Sequence, residues 1–209
     1  MSDTNGGKQV AGLSPAEAAE GFVPLFDGKT FEGWDGGLRG YSIQDGVLIC
    51  RWCAGGRIHT VREYSDFVLR LDLMLCDGAE NGIGLRVPPG WCHHPSYEGV
   101  RIQIADDSSE KHGSRPRYHQ HGAIYGVIEA AAGHLQPQGH WNEQEILCRG
   151  SRIRVTLNRA VILDVHMDTL GDEHPDEFEH PGLKRRSGTI DLLGGSDEVK
   201  FRNMRIREQ

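Results

Sequence analysis

The sequence predicts an all-β protein, a sandwich or jelly roll of antiparallel strands with one short helix near its N-terminus. Three observations carry this. Apolar residues alternate with polar ones over run after run, as in Phe67-Val-Leu-Arg-Leu-Asp-Leu-Met-Leu75, where Phe67, Leu69, Leu71, Leu73 and Leu75 fall on one face. Turn signals separate these runs at regular spacing. The composition, with 28 glycines and 37% hydrophobic residues in 209, suits a turn-rich β domain better than a helical bundle.

Residues 1–13 are polar and glycine-rich and predict disorder. Ser14-Pro15-Ala16-Glu17 combines an N-cap, a proline at the first helical position and a capping-box glutamate, and Gly21 closes a short helix. Residues 22–209 then read as a single domain. Tyr41–Ile43 and Val47–Cys50 flank the Gln44-Asp45-Gly46 turn. Further strands are expected over Phe67–Leu75, Glu145–Cys148, Ile153–Leu157, Val161–Met167, Thr189–Leu193 and Val199–Arg207, with a turn at Asn158-Arg159. Three long insertions, Pro88–Ser96, Asp106–Gln120 and Thr169–Arg186, interrupt the rhythm; loops of this length in a compact domain are often functional, with a disordered surface excursion the alternative for the third.

Two runs single out a surface. In Asn81-Gly-Ile-Gly-Leu-Arg-Val87, alternation puts Ile83, Leu85 and Val87 on one face and Gly82, Gly84 and Arg86 on the other. In Gly99-Val-Arg-Ile-Gln-Ile-Ala105 it opposes Val100, Ile102 and Ile104 to Arg101 and Gln103. A glycine floor beneath long polar side chains suggests a groove that admits a polar ligand close to the backbone; a solvated outer sheet face is the alternative.

The formal charge of −7 argues against a general nucleic-acid or anionic-membrane binder, and the Lys184-Arg-Arg186 cluster reads as a solvated turn. No apolar stretch approaches the roughly 20 residues that span a bilayer. Met1–Val10 lacks a basic and an apolar signal region, which predicts a cytoplasmic protein, with export left open if the chain is trimmed at its N-terminus. Cys50, Cys53, Cys76, Cys92 and Cys148 are odd in number and scattered; Cys50-Arg-Trp-Cys53 has no second pair to complete a zinc site, so all five read as ordinary thiols.

Seven blocks, in order, carry a family resemblance. Phe22-Val-Pro-Leu-Phe-Asp-Gly-Lys-Thr-Phe-Glu-Gly-Trp34 opens it, followed by Glu63–Arg70, Asn81–Arg86 and Tyr97–Asp107. His121-Gly-Ala-Ile-Tyr-Gly-Val127, Gly139–Asn142 and Val199–Ile206 complete it. Together they resemble the 3-keto-disaccharide hydrolase domain family. The resemblance implies a concanavalin A-like jelly-roll sandwich whose concave sheet binds carbohydrate, and an enzyme acting on glycosides already oxidised at C3. A 3-keto group acidifies the C2 proton, so a base can remove it and expel the C1 substituent, and water then adds. Such a route needs a base, a donor for the enolate oxygen and an acid, without the paired carboxylates of ordinary glycosidases.

Carried over by resemblance, His121 is the base, Arg86 the enolate stabiliser and Tyr125 the donor to the leaving oxygen. Gln103, Arg101, Asn142, Asn81 and Asp191 are assigned to substrate binding, and Trp141 to stacking on a pyranose ring. No cofactor is expected to be required; a divalent cation is the minor option, at Asp106 and Asp107. Two departures from the family pattern stand out. Arg101 occupies a position where many relatives carry glutamate, and Gly195 aligns with a family histidine, with Asp191 in place of a small glycine. Arg101 and Asp191 are expected either to form a substitute ion pair or to mark a non-catalytic, lectin-like carbohydrate binder. A self-associating module built on the His-rich loops has no positive signal, and oligomeric state is not legible.

Overall fold

The computed structural model describes residues 13–51, 56–90, 92–111, 114–195 and 197–209. The expected disorder of residues 1–12 and the Cys53 half of the Cys50–Cys53 pair lie outside them. In chain order, a helix α1 (Pro15–Ala19) precedes β1 (Val23–Pro24), β2 (Trp34–Gly36), β3 (Tyr41–Gln44), β4 (Val47–Cys50) and β5 (Ile58–Thr60). β6 (Phe67–Leu75) and β7 (Glu80–Val87) follow, then a one-turn helix α2 (Pro95–Glu98) and β8 (Val100–Ala105). β9 (Trp141–Arg149), β10 (Arg152–Leu157), β11 (Ala160–His166), β12 (Thr189–Leu192) and β13 (Val199–Glu208) complete the chain.

The strands form two antiparallel sheets stacked as a jelly-roll sandwich. One runs β11-β10-β9-β6-β13-β4-β3 with β1 added alongside β13; the other runs β2-β5-β12-β7-β8. The inward leucines of β6 and Ile146, Cys148, Val155 and Phe201 face Ile83, Leu85, Ile102 and Ile104 across the interior, all at most 4% exposed. Each such aliphatic side chain contributes about 1.5–3 kcal/mol by leaving water.

Helix α1 has the expected cap: Ser14 Oγ accepts from Glu17 N at 3.2 Å and Glu17 Oε2 accepts from Ser14 N at 3.2 Å. Glu17 has a second task. Arg70 on β6 and Arg205 on β13 stand directly opposite one another, and Glu17 Oε1 accepts from both, at 3.3 and 2.6 Å. Burial opposes the charge on Glu17, but hydrogen bonds from Arg205 and Ser14 outweigh it and bring its carboxyl down to about 2.

The regular alternation expected along β7 fails at one point. Thr189 of β12 opposes Val87 and Asp191 opposes Gly84, so two residues of β7, Leu85 and Arg86, face one of β12. This is a β-bulge, and Arg86 takes φ +54° to make it. The bulge exchanges two side chains. Arg86 turns to the interior, where it is 1% exposed and reaches across to the other sheet. Its guanidinium donates to Ser65 O (2.8 and 3.0 Å), Gly150 O (2.7 Å), Arg185 O (3.3 Å) and Asp66 Oδ1 (3.2 Å). Val87 takes its place on the outer face, against Gly84 and Gly99.

Candidate functional site

The outer face of the five-stranded sheet carries a transverse row of side chains. Asp35 (β2) opposes His59 (β5), His59 opposes Asp191 (β12), Asp191 opposes Gly84 (β7), and Gly84 opposes Arg101 (β8). At the far end, Tyr125 N bonds Arg101 O at 3.0 Å, and the Tyr125 ring lies under the Arg101 guanidinium at 4.2 Å. One step along, Gly82 opposes Gln103. Both glycines are needed: a Cβ at Gly82 would lie 2.7 Å from Arg101 Nε, and one at Gly84 would lie 2.8 Å from Val87 Cγ2 and 3.0 Å from Asp191 Cβ.

Two ion-pair networks order the row. At the β8 end, Glu80 Oε1 accepts from Arg101 (3.2 Å) and Gln103 (3.1 Å), and Glu80 Oε2 pairs with Arg115 at 2.7 Å. Arg101 also donates to Gln103 Oε1 at 2.8 Å and Ser96 Oγ at 3.3 Å. Burial pushes the Glu80 carboxyl up, but Arg115, Gln103 and Arg101 outweigh it and hold it below the usual range. Glu80 is therefore a saturated anion, unsuited to proton transfer. At the other end, Arg57 Nε donates to Asp191 Oδ2, while Thr189 Oγ1 donates to Asp191 Oδ1 at 2.7 Å. Burial raises the Asp191 carboxyl, and its Thr189 and Arg57 donors offset this only in part.

A cavity of about 450 Å³ opens at this second end, lined by Asp35, Gly36, Arg57, His59, Gly90 and Cys92. The Cys92 thiol donates to Glu98 at 3.2 Å; burial and that carboxylate push it up to about 11, so it is not a ready nucleophile. A larger cavity of about 730 Å³ is lined entirely by residues 167–186, none from the sheet. It shares only His180 with the cluster beside Tyr125 described below, so the sheet row is the better candidate.

The structure brings Arg101, Gln103, Tyr125 and Asp191 to one face, with Gln103 and Asp191 fully buried there. The expected Arg101–Asp191 pair does not form; each has another partner, Glu80 and Arg57. The remaining placements are corrected. Arg86 is an interior clamp, because the bulge rotates it inward. His121 lies between the sheets, 4% exposed, with Nε2 against Gln144 Oε1 at 3.1 Å and Nδ1 accepting from Ala105 N at 3.4 Å. Burial lowers it to about 4. Asn81 pairs with inward-facing Ile104 and is fully buried, its Oδ1 accepting from Gly82 N at 2.7 Å. Asn142 is likewise buried and holds Gln136 N (2.8 Å) and Asn158 Nδ2 (2.9 Å). Trp141 stands on the outer face of the opposite sheet, with Arg202 at 3.9 Å from its ring.

Asp106 accepts from Gly78 N, Ser108 and Gln138, and Asp107 accepts from His121 N with both oxygens. These carboxylates brace a turn, and among the described residues no group of three or more His, Cys, Asp or Glu converges as metal ligands. The two aspartates thus do not fit the cation suggested for them. At Gly195, a Cβ would lie 2.2 Å from Glu80 O, so the backbone has closed over the position of the family histidine.

Sequence reasoning missed Glu80, Arg57, Arg115, His59 and His119. His119 stacks on Tyr125 (4.3 Å, 16°), its Nε2 has no hydrogen-bond partner, and burial lowers its pKa below the usual imidazole value. His119 lies in the Asp106–Gln120 insertion singled out above for its length, but nothing in the sequence marked this residue within it.

The jelly-roll sandwich is a fold also seen in solved structures named as carbohydrate-binding modules and glycosyl hydrolases. A carbohydrate-binding module of Bacillus subtilis, CBM66, has the same fold at a TM-score of 0.54 and 14% identity, over 82% of this chain and 93% of that one. The chain belongs to the 3-keto-alpha-glucoside-1,2-lyase-like domain family, whose profile matches residues 21–207. A "putative glycosyl hydrolase" of Parabacteroides distasonis is 32% identical, with a TM-score of 0.78 over 90% of this chain and 99% of that one. A 3-keto-disaccharide hydrolase of Bacteroides thetaiotaomicron is 23% identical over 90% of this chain and 79% of its own length.

Proposed function

We propose that this protein cleaves 3-keto-glycosides in the hollow on the outer face of its five-stranded sheet. The observation that carries the reading is the row Asp35–His59–Asp191–Gly84–Arg101, with open volume at its His59 end. The oxidised sugar sits in that cavity. His59, flanked on adjacent strands by Asp35 and Asp191, takes the C2 proton in place of the interior His121. Arg57 faces the charge that develops on the C3 oxygen. The C1–O bond breaks as a C1–C2 double bond forms, and the proton held by His59 returns to the departing oxygen. Water then adds its hydroxyl to C1 and its proton to C2, and the net change is hydrolysis. Arg101 and Tyr125 hold the leaving group further along the row, with the fully buried Gln103 bracing Arg101. No step draws on a resident cofactor.

The test offers a chromogenic 3-keto-glucoside beside the unoxidised glucoside. Release from the keto compound alone is expected; equal release from both would rule the elimination route out. Saturable binding without release would favour the lectin-like reading, for which the closed backbone at Gly195 and the saturated Glu80–Arg101 pair are the supporting observations.

A further inference from the structure

The third insertion is folded into a braced tip beside the row. Among the described residues, Phe178 is the one aromatic of the large exposed hydrophobics, at 61% exposure. An exposed phenylalanine alone means little. Here the local chain is organised to present it. Glu177 adopts φ +63°, a strained conformation for a side chain other than glycine or asparagine. Asp176 accepts from Phe178 N at 3.1 Å and from His180 Nε2 at 3.1 Å with both oxygens, and the two side chains are only 5% and 2% exposed. Asp176 packs so tightly on Gly126 that a Cβ there would meet its carboxylate at 1.9 Å.

The tip continues an aromatic path out of the site. From Arg101 the path runs to Tyr125 at 4.2 Å, from Tyr125 to Tyr97 at 6.4 Å, and from Tyr97 to Phe178 at 5.4 Å and 41°. His180 packs edge-on to Tyr97 at 4.9 Å and fixes its ring. With the oxidised sugar at His59 and its leaving group directed along the row toward Arg101 and Tyr125, Phe178 stands beyond them, two aromatic contacts past Tyr125.

We propose that Phe178, backed by Tyr97, is a stacking platform for a third pyranose ring, so that the protein takes 3-keto-oligosaccharides longer than two sugars. This rests on the reading of the outer sheet face as the cleavage site. The apolar face of a pyranose matches an exposed ring held at fixed tilt, and a braced tip has little ordering entropy left to lose on binding.

Calorimetric titration of a 3-keto-trisaccharide and a 3-keto-disaccharide, each oxidised on the terminal sugar, provides the test, alongside turnover of both. The trisaccharide should bind more tightly than the disaccharide. Phe178→Ala should weaken the trisaccharide roughly tenfold and leave the disaccharide unchanged, while Phe178→Trp retains the longer ligand. Val161→Ala, at another exposed apolar residue on the other sheet, should do nothing. Unchanged trisaccharide affinity in Phe178→Ala, equal wild-type affinity for the two lengths, or no binding of either overturns the platform. Binding without turnover would instead overturn the cleavage reading, and the platform would still be judged by the same affinity ratios.

Discussion

His121 donates from Nε2 to Gln144 Oε1 at 3.1 Å and so ties the turn after the Asp106–Gln120 insertion to the opposite sheet. With Nδ1 accepting from Ala105 N, only one neutral tautomer satisfies both partners.

That arrangement makes stability depend on pH. Burial brings His121 down to about 4, below its unfolded value, so the unfolded chain binds the proton first. Stability is complete above pH 6.5 and falls as pH drops toward 4. Between pH 6.5 and 4.5 the loss should be about 2 kcal/mol in urea unfolding. His121→Asn should flatten this slope; an unchanged slope would show that other groups set it.

Arg86 should matter for folding far more than for chemistry. Truncation to Met strands the carbonyls of Ser65 and Gly150 and should cost about 3 kcal/mol or more, read as a lower urea midpoint. Arg86→Lys should rescue little, since one ammonium cannot reproduce the fork. Turnover per folded molecule should stay near wild type.

The two histidines separate by the opposite readout. His59→Asn should lower kcat on a 3-keto-glucoside by about 10²-fold or more with the unfolding midpoint unchanged. Folded His121→Asn should keep its kcat. A reversal of that pattern would return the proton transfer to the interior residue.

Gly82→Val probes the floor of the row. Its Cβ would displace Arg101, which lies 2.7 Å from that position, and release Gln103 and Glu80 from their shared network. Ligand affinity should fall about tenfold, with overpacking costing about 1–3 kcal/mol of stability.

Dialysis against a chelator should leave the rate unchanged, because the aspartates suggested for a cation are occupied as turn braces. A lost rate restored by one divalent ion would place a metal in the site.

Much of the fold was legible because the core-facing residues of β6, β8 and β10 are apolar at every second position. Arg86 defeated that logic. Its inward turn depends on a left-handed backbone and on the carbonyls of Ser65, Gly150 in the β9–β10 turn and Arg185, none of which leaves a mark on the local pattern. Asp191 came from the family resemblance, whereas Arg101 and Gln103 were readable because they lie on unbroken alternation. His59 was not, since the three residues of β5 are too few for a period to show. Trp141 and Asn142 were misplaced for another reason: sheet membership is set by pairing with β6, a partner nearly seventy positions earlier in the chain. The family resemblance named them as sugar contacts, and long-range register sent them elsewhere.

The link from Glu17 to Arg70 and Arg205 bears on where this domain can be cut. The family match begins at residue 21, which would leave α1 outside. A version shortened to that boundary sets two guanidiniums face to face on neighbouring strands with Glu145 to neutralise only one of them. The small helix thus works as a counterion delivered by the chain itself, and it belongs to the domain it precedes.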